Sequence, residues 1–186
     1  MTLPALMLTR YEVTSERVII ELFPKEAPPK PQSEYLPYYS LTIAAGGFLA
    51  GDAPEPEGWV DAPKHGFRKR LIEGMFVTRV VGESMAPTIK NGSYCVFHSP
   101  VEGTRQGRIV LVQKRNMIDP ETGGCYTIKR YKSTKSISQE SWRHESICLI
   151  PDNPDRERYP ILEFAPEDDA DLRVVAEFIQ MLSPAT

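Results

Sequence analysis

From Met75 onward the chain alternates between short runs of apolar and β-branched residues and clusters of turn formers. The runs cover residues 75–81, 94–97, 109–112, 126–131, 147–150 and 161–164. Asn91-Gly92, Gly103, Gly107, Gly123-Gly124 and Asp152-Asn153-Pro154 separate them. Runs of this length, bounded in this way, predict strands, and their spacing predicts a mostly β domain of barrel-like or packed-sheet type. Residues 172–182 could form a strand or a helix, and their β-branched content favours a strand.

The first half is patterned differently. Residues 17–23 predict a strand, and so do residues 38–45. Between them, Pro24-Lys25-Glu26-Ala27-Pro28-Pro29-Lys30-Pro31 predicts an extended linker, because each proline fixes φ and lacks an N–H donor. Residues 46–52 are rich in glycine and small residues, and Pro- and Glu-rich residues 53–57 follow. Residues 1–40 are thus expected as a strand and linker, residues 41–182 as the main domain and residues 183–186 as a tail. Neither an internal repeat nor a helix-turn-helix pattern is visible.

Composition narrows the function classes. The 186 residues are 41% apolar and 25% charged, ordinary for a globular domain able to bury a core. A net charge of -3 gives no global case for nucleic-acid binding. No stretch approaches the roughly 20 apolar residues of a membrane helix, and the N-terminus lacks the pattern of a signal peptide. Cys95, Cys125 and Cys148 are odd in number and lack a CxxC pair, so reduced thiols and a cytoplasmic protein are expected. His65, His98 and His144 show no ligand spacing, and neither metal nor cofactor is expected.

Two residues carry candidate chemistry. Ser84 follows an apolar strand that ends at Gly82 and precedes Pro87, which suits the first turn of a short helix. Ser84 is placed equally well as an N-cap or as a nucleophile with backbone amides near its hydroxyl. A serine nucleophile needs a base, and Lys129 lies within the apolar run Tyr126-Thr127-Ile128-Lys129-Arg130-Tyr131. Desolvation would lower its pKa and make a neutral amine available. The alternative is a cation on a solvated strand face beside Arg130 and Lys132.

The blocks Gly82-Glu83-Ser84-Met85-Ala86-Pro87-Thr88-Ile89, Asn91-Gly92-Ser93-Tyr94, Gly107-Arg108-Ile109-Val110-Leu111-Val112 and Tyr126-Thr127-Ile128-Lys129-Arg130-Tyr131 together resemble the LexA/UmuD-like self-cleaving peptidases. The resemblance covers about residues 41–150. It implies twisted, barrel-like antiparallel sheets with few short helices, Ser84 as nucleophile and Lys129 as general base. It also implies oxyanion donors among the backbone amides of Glu83, Ser84 and Met85. Met85 itself is expected to pack beneath the site. The separation of Ser84 and Lys129, 45 residues, is long for the family, and residues 116–124 look like an enlarged hairpin.

In this family the cut falls at an Ala-Gly or Cys-Gly bond upstream of the serine. Residues 41–52 are the implied cleavable segment, with Ala45–Gly46 as the bond and Ala50–Gly51 as its rival. The alternative for this stretch is a plain small-residue loop. The resemblance further implies the chain as its own substrate, a homodimer, a RecA-type filament as activator and a stress or DNA-damage role. Without a helix-turn-helix, sequence-specific DNA binding is not expected. Three readings stand: a stand-alone regulator like the UmuD accessory subunit of a translesion polymerase, a self-cleaving domain beside a helicase or defence protein, and a binding module that retains the dyad without turnover. The basic cluster Lys64-His65-Gly66-Phe67-Arg68-Lys69-Arg70 is expected to be a solvated loop rather than a nucleic-acid contact. Trp59 and Trp142 are expected to pack, and the acidic run 167–171 to form a solvated turn.

Overall fold

The computed structural model describes residues 20–26, 34–47, 54–137, 142–165 and 171–184. Ten strands build one sheet: β1 Leu22–Pro24, β2 Leu36–Tyr38, β3 Gly58–Val60, β4 Met75–Arg79, β5 Tyr94–His98, β6 Ile109–Lys114, β7 Tyr126–Ile137, β8 Trp142–Ile150, β9 Leu162–Phe164 and β10 Leu172–Met181. Among the described residues there is one α-helix, α1 Leu41–Gly47, and a 3₁₀ turn at Pro63–His65. The strand order is β1-β3-β2-β4-β5-β10-β6-β7-β8-β9. Pairing is antiparallel except at β2–β4, which meet in parallel at Tyr38 and Val77. The mostly β expectation holds, but the sheet is open, with β1 and β9 at its edges, rather than closed into a barrel.

Every predicted run from residue 75 onward is a strand, including 172–182. β10 joins the two halves of the sheet by pairing with β5 on one side and β6 on the other. Period-two alternation explains why these runs are almost wholly apolar: both faces are covered. Phe76, Phe97, Leu111 and Ile128 fall in one core cluster with Met85 and Ile89. Their strand neighbours Val77 and Val96 enter a second cluster, and Val110 and Val112 a third. Phe76 lies opposite Phe97 in register, and their rings stack at 6.0 Å between centroids.

The N-terminal half corrects two expectations. The strand expected over 38–45 is instead the end of β2 followed by α1. Leu41, Ala44 and Ala45 repeat at helical spacing and bury one stripe against the first cluster. The Ala44 N–H donates to the Ser40 carbonyl at 2.9 Å, closing the first turn. Tyr and Ile favour strands, but burial of the alanine stripe outweighs that preference. The strand expected over 17–23 is described only from residue 20 and begins at Leu22. Of the extended linker expected over 24–31, Pro24 instead ends β1, an edge strand where a missing N–H is tolerated, and Lys25 and Glu26 form a turn. The rest of that linker, from residue 27, lies outside the described residues.

β3 was not anticipated. Its central residue Trp59 pairs with Phe23 on one side and Pro37 on the other. The basic cluster divides. His65 and Phe67 are buried, Lys64 pairs with Glu21 at 2.8 Å, and Arg68, Lys69 and Arg70 are exposed.

Candidate active site

β4 ends at Arg79, and the chain turns at Gly82, whose φ of 99° lies in the left-handed region. The Gly82 N–H donates to the Asn91 side-chain oxygen at 3.1 Å, tying the turn to the hairpin that leads into β5. Residues 84–88 are turns rather than the expected helix. The Ala86 N–H donates to the Glu83 carbonyl and the Ile89 N–H to the Met85 carbonyl, but Pro87 has no N–H to continue a ladder. Ser84 therefore has no helix to cap. Met85 is buried in the first core cluster, which anchors the turn from below.

Lys129 sits in β7 opposite Val110 of β6. Thr127, two residues earlier, shares its face of the strand. Lys129 Nζ lies 2.8 Å from Ser84 Oγ, 2.7 Å from Thr127 Oγ1 and 3.1 Å from the Ile128 carbonyl. Lys129 is 5% exposed and Ser84 7%, so the amine is not on a solvated face. Its strand neighbours differ: Lys132 is exposed, and Arg130 reaches the other way to Asp152 and the Gly107 carbonyl. Burial lowers the Lys129 pKa below that of an ordinary lysine, while the charges of Asp119 and Glu121 oppose the shift. A buried amine held by hydroxyl and carbonyl oxygens, within reach of a serine hydroxyl, can accept that hydroxyl's proton.

The hairpin between β6 and β7 closes the site. Asp119 Oδ2 is 3.9 Å from Lys129 Nζ. Asp119 Oδ1 accepts from the Glu121 and Thr122 N–H groups at 2.9 and 3.0 Å, forming a rigid turn. That turn places the Glu121 carboxylate on two backbone amides, those of Glu83 at 2.6 Å and Ser84 at 3.2 Å. These are two of the three amides anticipated as oxyanion donors. On the opposite side, the turn after β8 supports the serine: the Asn153 N–H donates to the Ser84 carbonyl, and the Asn153 side-chain amide to the Glu83 carbonyl, both at 3.0 Å.

Sequence reasoning passed over Asp119, Glu121, Thr127 and Asn153. The signal for the first two was present, since the separation of Ser84 and Lys129 is lengthened in the hairpin that carries them. A cleft lined by Leu41, Val80, Ser84, Glu121, Thr122 and Ile128 opens beside the serine. Leu41 brings α1 to its rim. Ala45 and Gly46 lie in that helix, with Ala45 buried in the first cluster and nothing within 4 Å of a Cβ built on Gly46. The bond between them is helical in this structure, not extended along the cleft. Ala50 and Gly51 lie outside the described residues.

No curated protein matches the chain. The Peptidase S24-like family matches residues 37–179, a span that includes α1, the Ser84 turn, the acidic hairpin and Lys129. That match covers most of the sequence, and the chain belongs to the Peptidase S24-like family, the LexA/UmuD-like serine peptidases.

Proposed function

We propose that the chain is a serine peptidase that cuts its own Ala45–Gly46 bond with Ser84 as nucleophile and Lys129 as general base. The observation that carries this reading is the buried 2.8 Å approach of Lys129 Nζ to Ser84 Oγ. Neutral Lys129 takes the Ser84 proton as Oγ attacks the Ala45 carbonyl, and the developing oxyanion is held by backbone amides at Ser84. The C–N bond then breaks, and the Gly46 nitrogen takes the proton from Lys129. Water, deprotonated by the same amine, hydrolyses the Ala45 ester and frees Ser84.

For this to happen α1 must open, because a helical peptide bond cannot lie along the cleft. Seven residues ending in two glycines make a helix with little intrinsic stability. Opening of α1 is then the step on which a stress signal acts, with a RecA-type filament as the first activator to try. Intact mass at pH 7 and at about pH 10 tests the chemistry. The expected products are residues 1–45 and 46–186, formed faster at high pH and missing in Ser84→Ala and Lys129→Ala. Fragments divided at Ala50–Gly51 would keep the dyad and move the bond. An intact chain at both pH values, with and without the filament, would sink the reading in favour of a binding module that keeps the dyad without turnover.

A further inference from the structure

We propose that the Glu83–Ser84 amide pair is a carboxylate-binding subsite that Glu121 of the same chain fills at rest, so that a substrate carbonyl must displace Glu121 before Ser84 can act. The inference rests on the peptidase reading for its consequence, but the contact stands on its own geometry. Each oxygen of the carboxylate takes one amide: Glu83 N–H to Oε1 at 2.6 Å and Ser84 N–H to Oε2 at 3.2 Å. A charged acceptor makes these bonds stronger than a neutral carbonyl would.

Two features of the chain fit this occupant. At Gly82 an added Cβ would stand 2.5 Å from Glu121 Oε2, and the backbone has φ of 99°, so any side chain there would expel the carboxylate. The Asp119 turn fixes the Glu121 backbone through two hydrogen bonds, so the glutamate is presented rather than merely nearby. The electrostatics point the same way. The charges of Glu121 and Asp119 both favour the protonated form of Lys129, the form that cannot act as base. Glu121 thus blocks the oxyanion position and lowers the fraction of Lys129 in its free-amine form.

The test uses the full chain, with Glu121→Ala and, to preserve shape, Glu121→Gln. Amide proton resonances of Glu83 and Ser84 report the contact, and phosphonylation of Ser84 by a fluorophosphonate, in which a P–O bond forms and fluoride leaves, reports access to the nucleophile. The expected result is upfield movement of both resonances and labelling and self-cleavage at least about tenfold faster in Glu121→Ala, with a smaller gain in Glu121→Gln. Unmoved resonances in a folded variant would overturn the subsite. Moved resonances with unchanged or slower labelling would overturn the gate. Moved resonances with no labelling in any of the three proteins would sink the peptidase reading, and the gate with it.

Discussion

Arg130 grips Asp152 through two parallel hydrogen bonds, Nε to Oδ1 at 2.9 Å and Nη2 to Oδ2 at 2.6 Å. The residue before Arg130 is the proposed base, and the residue after Asp152 holds the carbonyls of Glu83 and Ser84. One ion pair therefore couples the strand that carries the amine to the turn that carries the hydroxyl. Lysine cannot reproduce the fork. Arg130→Lys is expected to slow self-cleavage by about tenfold while costing only about 1 kcal/mol of stability. Cleavage rates beside thermal melts check this, and equal effects on both would reduce the pair to a structural role.

The same pair sets an acid limit. Burial by itself would raise the Asp152 pKa, but hydrogen bonds from Arg130 and Thr88 and the charges of Arg130 and Arg156 bring it below its ordinary 3.8. A depressed carboxyl contributes stability above its unfolded pKa and loses it as pH falls through the folded value. Asp152→Asn is therefore expected to lower the melting temperature at pH 7 and to flatten the loss of stability below about pH 4. Melts of the two proteins across pH 2 to 7 settle it; parallel curves would remove Asp152 from the acid response.

Lys129 gives the opposite dependence for activity. In the proposed mechanism only its neutral form can accept the serine proton, and burial moves its pKa down from 10.5. The rate of self-cleavage is expected to rise with pH and to level off below pH 10.5. A profile still climbing beyond that point would show that the amine titrates as in water.

A buried amine also costs stability. Its folded pKa lies below its unfolded value, so the penalty is full at low pH and vanishes as pH rises past 10.5. Lys129→Met keeps the stem and removes the charge. It is expected to stop cleavage and to raise stability at pH 7 by about 1 kcal/mol, a gain absent near pH 11. Destabilisation at neutral pH would mean that the bonds to Thr127 and Ile128 outweigh desolvation.

Tyr126 pins the helix that holds the proposed bond. Its hydroxyl lies 2.8 Å from Thr42 Oγ1, joining β7 to α1. Tyr126→Phe keeps the ring and loses the bond, worth about 1 kcal/mol. Self-cleavage is then expected to quicken by about fivefold, because opening α1 becomes easier by that amount. Slower cleavage would show that the hydroxyl serves the reactive conformation instead.

The strands from residue 75 onward were legible because β-branched residues and turn formers alternate without conflict between local preference and fold. α1 was not, because Tyr38, Tyr39, Thr42 and Ile43 carry strand preference and the burial that decides the matter comes from β4 and β6. β3 is three residues long and has too little pattern to find. Ser84 and Lys129 were singled out through four blocks in order, since Lys129 alone, beside Arg130 and Lys132, has the look of a surface cation. Its burial is made by a hairpin that folds over it, which spacing along one strand does not reveal. Glu121 was hidden for a related reason: the Glu83 and Ser84 amides that it meets are distant from it in sequence.

The strand order gives the proposed cut an unusual outcome. β1 and β2 precede Ala45, whereas β3 and β4 follow it, and β2 lies between β3 and β4. Tyr39 adds a further hydrogen bond to Val77 at 3.0 Å. A break after Ala45 would thus yield a nicked protein whose two pieces interleave like those of a split reporter. The fragments would separate under denaturation but co-migrate when native. Whatever the nick signals would be carried by new chain ends and a freed α1 on a persisting sheet, and not by departure of the N-terminal piece.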